Sequence, residues 1–212
     1  MLEKKIYIYG AGGHAKVVAA TARLLGYSVA GFIDDFSPER AGEVFDGAKV
    51  MTYYDLLNAK GEEILVALGF GNCVARNETG KRLLADRFSL ETLIHPQASV
   101  ASNAEIGKGV FVGANSVIDP CVKIGDYVIV NDLACICHDS VVEVGAHICP
   151  GTLLAGNVNI GFCSWIGLGS RVIENIKIGA KTFIGAGSVV IRDIPDESLA
   201  YGIPAIVKGK NK

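Results

Sequence analysis

A chain of 212 residues and 22.3 kDa has room for one large domain or two small ones, and 50% apolar residues are enough for a real core. A net charge of −2 and a pI of about 6.1 exclude an electrostatic case for nucleic acid or an anionic membrane surface. No apolar run approaches the roughly 20 residues of a membrane span, and the opening MLEKKIYIYG lacks a signal peptide's apolar length and cleavage site, so a cytoplasmic protein is expected.

Residues 1–90 alternate strand and helix. KKIYIYG is a β-rich run ending in glycine, HAKVVAATARLLG follows with helical periodicity and Gly26 at its end, and YSVAGFIDD is a second strand closed by two acids. After YYDLLNA come a third strand, EEILVALGFG, and a further helix, VARNETGKRLLAD, which predicts a small parallel α/β unit of Rossmann-like type. Gly10-Ala11-Gly12-Gly13-His14-Ala15 matches the G-x-G-x-x-G/A pattern between strand and helix, with Asp34 downstream. Backbone N–H groups at a helix N-terminus accept a diphosphate whether it belongs to NAD or to a nucleotide sugar. Against NAD, the unit is about half a dinucleotide fold in size, and nothing after it offers a hydride-transfer site. In a nucleotide-sugar site Asp34 or Asp35 can bind ribose or base; the plainer alternative is a solvated strand end.

From Ile94 the pattern changes. Every sixth residue from Ile94 to Val190 is aliphatic, seventeen slots in a row, and only Leu154 among them is not β-branched. Four residues after each comes a small or modest side chain, such as Ala98, Ala104, Ser116, Ala134, Ser140 and Thr152. The register predicts a β-solenoid over residues 91–194: each hexapeptide is one short strand, the aliphatic residue points inward, and the small residue fits the corner. Three hexapeptides per turn give between five and six turns, with no long loop leaving the stack. Residues 195–212 form a tail.

The stretch ACICHDSVVEVGAH, residues 134–147, holds two cysteines, an aspartate and two histidines. Ile136 takes an inward slot, so strand alternation turns Cys135 and Cys137 outward. Two local thiols and one imidazole fall short of a structural zinc site, and residues i and i+2 on a flat strand bridge poorly, so neither metal nor disulfide is expected. The other cysteines, at 73, 121, 149 and 163, lack framework spacing. His138 occupies no inward slot, and Asp139 beside it can fix the imidazole tautomer and raise its basicity, which suits acid–base work. His147 precedes the inward Ile148 and also faces outward. Within one chain the two histidines need not touch. His95, at the entry to the coil, reads as a boundary residue, and Trp165 faces outward beside Ile166.

The second half resembles the hexapeptide-repeat acyltransferases, whose solenoid is a left-handed parallel β-helix; the handedness comes from the resemblance, not the spacing. The tail's Gly202-Ile203-Pro204-Ala205 strengthens the match. Over its whole length the chain is similar to the nucleotide-sugar acetyltransferase subgroup that includes the bacterial 4-amino-sugar N-acetyltransferases of the bacillosamine pathway. The matching segments are IYIYGAGGHAKVV, GFIDD, LIHPQASV, HDSVVEVGAHICPGTLLAGNVNIG and the tail. The resemblance puts the catalytic base on His138 and its acidic helper on Asp139, where the family often carries glutamate. It puts acetyl-CoA contacts on His147, Leu168 and Ala186, and sugar-nucleotide contacts on Gly12, Gly13, His14, Asp34, Asp35 and Gly69. The implied activity is acetyl-CoA-dependent N-acetylation of the 4-amino group of a UDP-linked 4-amino-4,6-dideoxy sugar, without a metal. Alternatives are a TDP- or GDP-linked sugar, O-acetylation of a sialic acid, a sugar-nucleotide-binding trimer without catalysis, and, outside the family, an NAD-dependent oxidoreductase. A homotrimer is expected because such proteins are typically trimers and because outward Phe111, Ile129 and Trp165 present apolar surface that stacking alone leaves open.

Overall fold

A computed structural model describes residues 4–59 and 64–211. The N-terminal lobe contains β1 (Lys4–Tyr9), α1 (Gly13–Leu24), β2 (Tyr27–Ile33), β3 (Val44–Phe45), β4 (Ala48–Met51), α2 (Tyr53–Leu57), β5 (Leu65–Leu68), α3 (Cys73–Ala85) and β6 (Ser89–Leu90). Among the described residues the lobe's sheet has the order β3-β4-β2-β1-β5-β6, parallel except for the β3–β4 hairpin. Three of these six strands were expected. The hairpin closes on Asp46-Gly47, both with positive φ, the turn chemistry of a tight two-residue loop.

Side-chain alternation on β1 divides the lobe's core. Ile6 and Ile8 pack with Ala15, Val18, Ala19 and Ala22 of α1, while Tyr7 and Tyr9 face Leu56, Leu83 and Phe88 on the other side. Helix α1 starts at Gly13 and ends with Gly26 at φ +85, a left-handed position that relieves the last carbonyls.

The second half is a left-handed parallel β-helix. Seventeen two-residue strands run from β7 (Leu93–Ile94) to β23 (Val189–Val190), and each of the first fourteen pairs with the strand eighteen residues on, as Phe111 with Ile129 and Ile129 with His147. The strands form three parallel faces. The inward column, including Val112, Val130, Ile148, Ile166 and Ile184, is buried in one continuous core. Serines and threonines behind it satisfy the corner backbone from inside, as where Ser164 Oγ donates to Gly179 O at 2.7 Å and accepts from Thr182 N–H at 2.9 Å. A residue with positive φ recurs every sixth position at the corners, including Asn115, Cys121, Leu133, Asp139, Asn157 and Asn175, with glycine at 145, 151, 169 and 187. β24 (Ser198–Gly202) extends the first face and folds back antiparallel on β25 (Ala205–Lys210).

The lobe sits on the first face of the coil. Leu93, Phe111 and Ile129 point away from the coil interior, yet they are buried in the same cluster as Ile6, Ile8 and the inner side of α1. This corrects the argument for subunit contact from the outward apolar row: the chain covers Phe111 and Ile129 with its own first domain, and Trp165 stacks on Phe183 at 5.9 Å and 6°. Arg76 of α3 fastens the two halves together. It is fully buried with no carboxylate partner among the described residues and donates to the carbonyls of Tyr127 (2.8 Å), Gly71 (2.7 Å), Gly145 (2.8 Å) and Ala146 (3.1 Å). No helix among the described residues is long and apolar enough to cross a membrane.

Candidate active site

The corner between the strands Cys135–Ile136 and Val141–Val142 carries His138 and Asp139. His138 Nδ1 lies 2.8 Å from Asp139 Oδ2, and the two side chains are 65% and 60% exposed. A carboxylate on Nδ1 holds the proton there in the neutral ring and leaves Nε2 as the free base. Asp139 sits in the left-handed corner slot at φ +61, a conformation aspartate tolerates better than most side chains. One turn further along the stack, Gly156 lies beside the imidazole; a Cβ there would come within 2.6 Å of Cε1. The bare backbone gives the ring its place.

The neighbouring thiols take no part in this arrangement. Cys135 and Cys137 flank the inward Ile136, both half-buried, and burial, Cys135 and Asp119 push the Cys137 thiol up to about 11. Cys149 and Cys163, buried near Arg76, are raised to about 12 and about 11, mainly by burial. Such groups stay protonated and weakly nucleophilic at neutral pH.

His147 faces away from the coil interior, as strand alternation requires, but not into solvent. It is buried beneath the lobe against Trp165 (4.3 Å between ring centres) and near His14 (6.2 Å), with Asn131 Nδ2 3.3 Å from Nε2. Burial first, then Arg76 and His14, lowers its pKa to about 3; burial and Arg76 lower that of His14 to about 4. Both rings are therefore neutral, and the buried His14 Nε2 has no hydrogen-bond partner among the described residues. His14, expected at the sugar nucleotide, meets Phe111 edge-on at 5.2 Å and belongs to the seam between lobe and coil. Leu168 and Ala186 are exposed and stacked one turn apart, at the corner between the first and second faces. That edge is a different one from the edge that carries His138.

In the lobe, sheet order reverses between β1 and β5, so the loops after these strands flank the crevice where such sheets bind ligands. Gly12 and Gly13 open α1 with no side-chain cap and with space where a Cβ would stand. Gly10 has φ +116 and Gly69 leaves no room: a Cβ on Gly69 would lie 2.7 Å from Ile8, so this glycine lets β5 approach α1. Asp34 is buried, accepts the N–H groups of Phe36 and Ser37 and pairs with Arg40 at 3.0 Å. Arg40 also donates to Ala11 O at 3.1 Å, tying the acid to the glycine loop. Asp35 accepts from Tyr9 Oη at 2.6 Å, Arg82 at 2.9 Å and Tyr53 N–H at 2.9 Å. Both acids thus shape the strand end as well as lining it.

The PglD N-terminal domain family matches residues 5–83. PerB, the GDP-perosamine N-acetyltransferase of Caulobacter crescentus, crystallised with CoA and GDP-perosamine, is 36% identical over 99% of both chains with a TM-score of 0.91. The acetyltransferase domain of PglB from Neisseria gonorrhoeae FA1090, in complex with acetyl coenzyme A, is 37% identical over 97% of this chain and 99% of its own, at 0.89.

The chain belongs to the hexapeptide-repeat nucleotide-sugar N-acetyltransferases.

WeeI from Acinetobacter baumannii AYE, 25% identical with a TM-score of 0.90 over 96% of this chain and 100% of its own, shares the architecture. Sequence reasoning missed three residues that shape this acetyltransferase's sites. Gly156 was findable, since it follows His138 by eighteen residues and so stacks on it in any three-faced hexapeptide coil. Arg76 carried no signal, because the coil carbonyls it serves at Tyr127, Gly145 and Ala146 lie far away in sequence, and Arg40 gave none because an arginine in a loop does not announce that it will bridge Asp34 and the carbonyl of Ala11.

Proposed function

We propose that this acetyltransferase moves the acetyl group of acetyl-CoA onto the 4-amino group of a nucleoside-diphosphate-linked 4-amino-4,6-dideoxy sugar, with His138 as general base. The observation that carries the reading is the exposed His138–Asp139 pair, oriented through Nδ1 and seated on Gly156, in a chain of this family. The attacking amine forms a bond to the thioester carbonyl carbon while its proton passes to His138 Nε2. The tetrahedral intermediate then expels the coenzyme A thiolate, which takes up a proton. Asp139 keeps the imidazole in the tautomer that can accept. The lobe takes the nucleotide, with the diphosphate over Gly12 and Gly13. UDP is the nucleotide expected from sequence, and GDP is the one carried by the Caulobacter relative's sugar.

Coenzyme is assigned to the edge bearing Leu168 and Ala186. Because the base lies on another edge of the same coil, the reading requires a second copy to bring the two together, and a homotrimer does so with three equal sites. Coenzyme A release with GDP-, UDP- and TDP-linked amino sugars tests the activity. His138→Ala should lower kcat about 10²–10⁴-fold with both substrates still bound, and Asp139→Asn should cost less. Light scattering should give three times 22.3 kDa. A His138→Ala trimer with near-full kcat, or an active monomer, would overturn the base or the shared site respectively.

A further inference from the structure

Beside the acid pair lies a cleft of about 280 Å³ whose walls include Tyr9, Asp35, Phe36, Glu78 and Arg82. It opens at the ends of β1 and β2, the same end of the sheet as the glycine loop. A base attached to a ribose and diphosphate held at that loop falls within reach of it.

Three features give the cleft a chemical preference. Phe36 is 71% exposed, and its aromatic partner, Phe70, meets it at a steep angle with centres 6.1 Å apart, so a broad ring surface is left for stacking. Glu78 and Arg82 stand one helical turn apart on α3, the spacing at which such residues normally pair. Here they do not. Arg82 is drawn to Asp35 and to the Tyr9 hydroxyl through a single nitrogen, Nη2, and lies over the Tyr53 ring at 4.0 Å. Glu78 is exposed and makes no hydrogen bond or ion pair among the described residues. A free carboxylate therefore stands beside a guanidinium with unused N–H groups. Asp35 cannot play the carboxylate's part, since both its oxygens are committed.

We propose that this cleft is a nucleobase pocket selective for guanine, with Phe36 stacking on the base and Glu78 and Arg82 reading its edge; the proposal rests on the nucleotide reading of the lobe. Guanine presents two adjacent donors, N1–H and the 2-amino group, next to the O6 acceptor. The two oxygens of Glu78 match the donors and the spare N–H groups of Arg82 match O6. Uracil and thymine offer one donor between two acceptors, and adenine sets an acceptor beside its amine. Each of these turns an acceptor towards the carboxylate and leaves a polar group unpaired.

Calorimetric titration of the full chain with GDP, IDP, UDP, dTDP and ADP tests the pocket. GDP should bind tightest, and IDP, which lacks only the 2-amino group, about tenfold more weakly. Glu78→Gln should bring GDP and IDP to similar affinity, and Phe36→Ala should weaken all five. UDP or dTDP binding as tightly as GDP, or a GDP-to-IDP ratio unchanged in Glu78→Gln, overturns the guanine assignment while leaving the lobe a nucleotide site. If none of the five binds, the nucleotide reading falls and the pocket with it.

Discussion

The coil and the lobe encode their structures in different ways. In the coil a residue's surroundings follow from its position within a hexapeptide: the slot of Ile94 is the slot of Ile148 and of Val190, and all face one core. Contacts run between neighbouring turns, so errors and substitutions stay local. In the lobe no such rule exists. Whether Tyr9 or Ile8 meets solvent depends on which helix lands on which face of the sheet, and Phe111 of the coil is buried only because α1 covers it. The periodic half supplies exposed edges at fixed positions, and the aperiodic half supplies a shaped cleft.

The strongest test of this contrast is Arg76, where the two halves meet. Arg76→Met keeps the length of the side chain but takes their side-chain donor from the buried carbonyls of Tyr127 and Gly145. A loss of roughly 3–5 kcal/mol is expected in denaturant unfolding. If lobe and coil then melt in two steps, the halves are independent folding units joined by this residue; a single lowered transition shows them still coupled.

Acid should act at the same seam. His14 and His147 have folded pKa values of about 4 and about 3, below the ordinary imidazole value near 6.5, so the unfolded chain binds more protons in between. Stability is then intact above about 6.5 and lost as pH falls towards the folded values, by roughly a few kcal/mol for the pair. Replacing both rings with phenylalanine should flatten Tm against pH over that window. An unchanged slope would place the acid sensitivity elsewhere.

A coil-confined change should behave differently. Gly156→Ala pushes on the exposed His138 ring and on no inward side chain. We expect kcat to fall about 10–100-fold, as for a displaced catalytic group, with Tm nearly constant. Unaltered turnover would mean that His138 has freedom to spare. The smallest effect belongs to the lobe's acids: Asp35→Ala should raise KM for the sugar nucleotide a few-fold, on the order of 1 kcal/mol, and leave KM for acetyl-CoA unchanged. Equal weakening of both substrates would break the division of labour between the halves.

Legibility in the sequence followed the same divide. The inward column, the corner residues and the outward direction of Cys135, His138 and His147 were readable, since alternation and the six-residue period set them locally. What covers an outward residue was not. His147 and Phe111 point outward as expected, but the lobe lies over them, and that packing joins residues far apart in the chain. The same limit hid Arg76 and turned Asp34 from a free strand-end acid into a bonded one. The β3–β4 hairpin is a different case: Asp46-Gly47 announced it, but strands of two and four residues are too short for an alternation signal.

The left-handed slot that recurs every sixth residue makes azimuth around the coil a matter of counting. From His138 to Leu168 is thirty residues, one full circuit and two further faces, and this count alone fixes the angle between the edge of the proposed base and the edge proposed for the coenzyme. Six residues inserted between them would keep every inward slot filled while rotating one edge a third of a circuit past the other. Only an insertion of eighteen returns the phase, moving the edges apart along the axis by one layer of roughly 4.8 Å. A lineage of such coils can therefore drift freely in side chains but change length in function-preserving steps of one size.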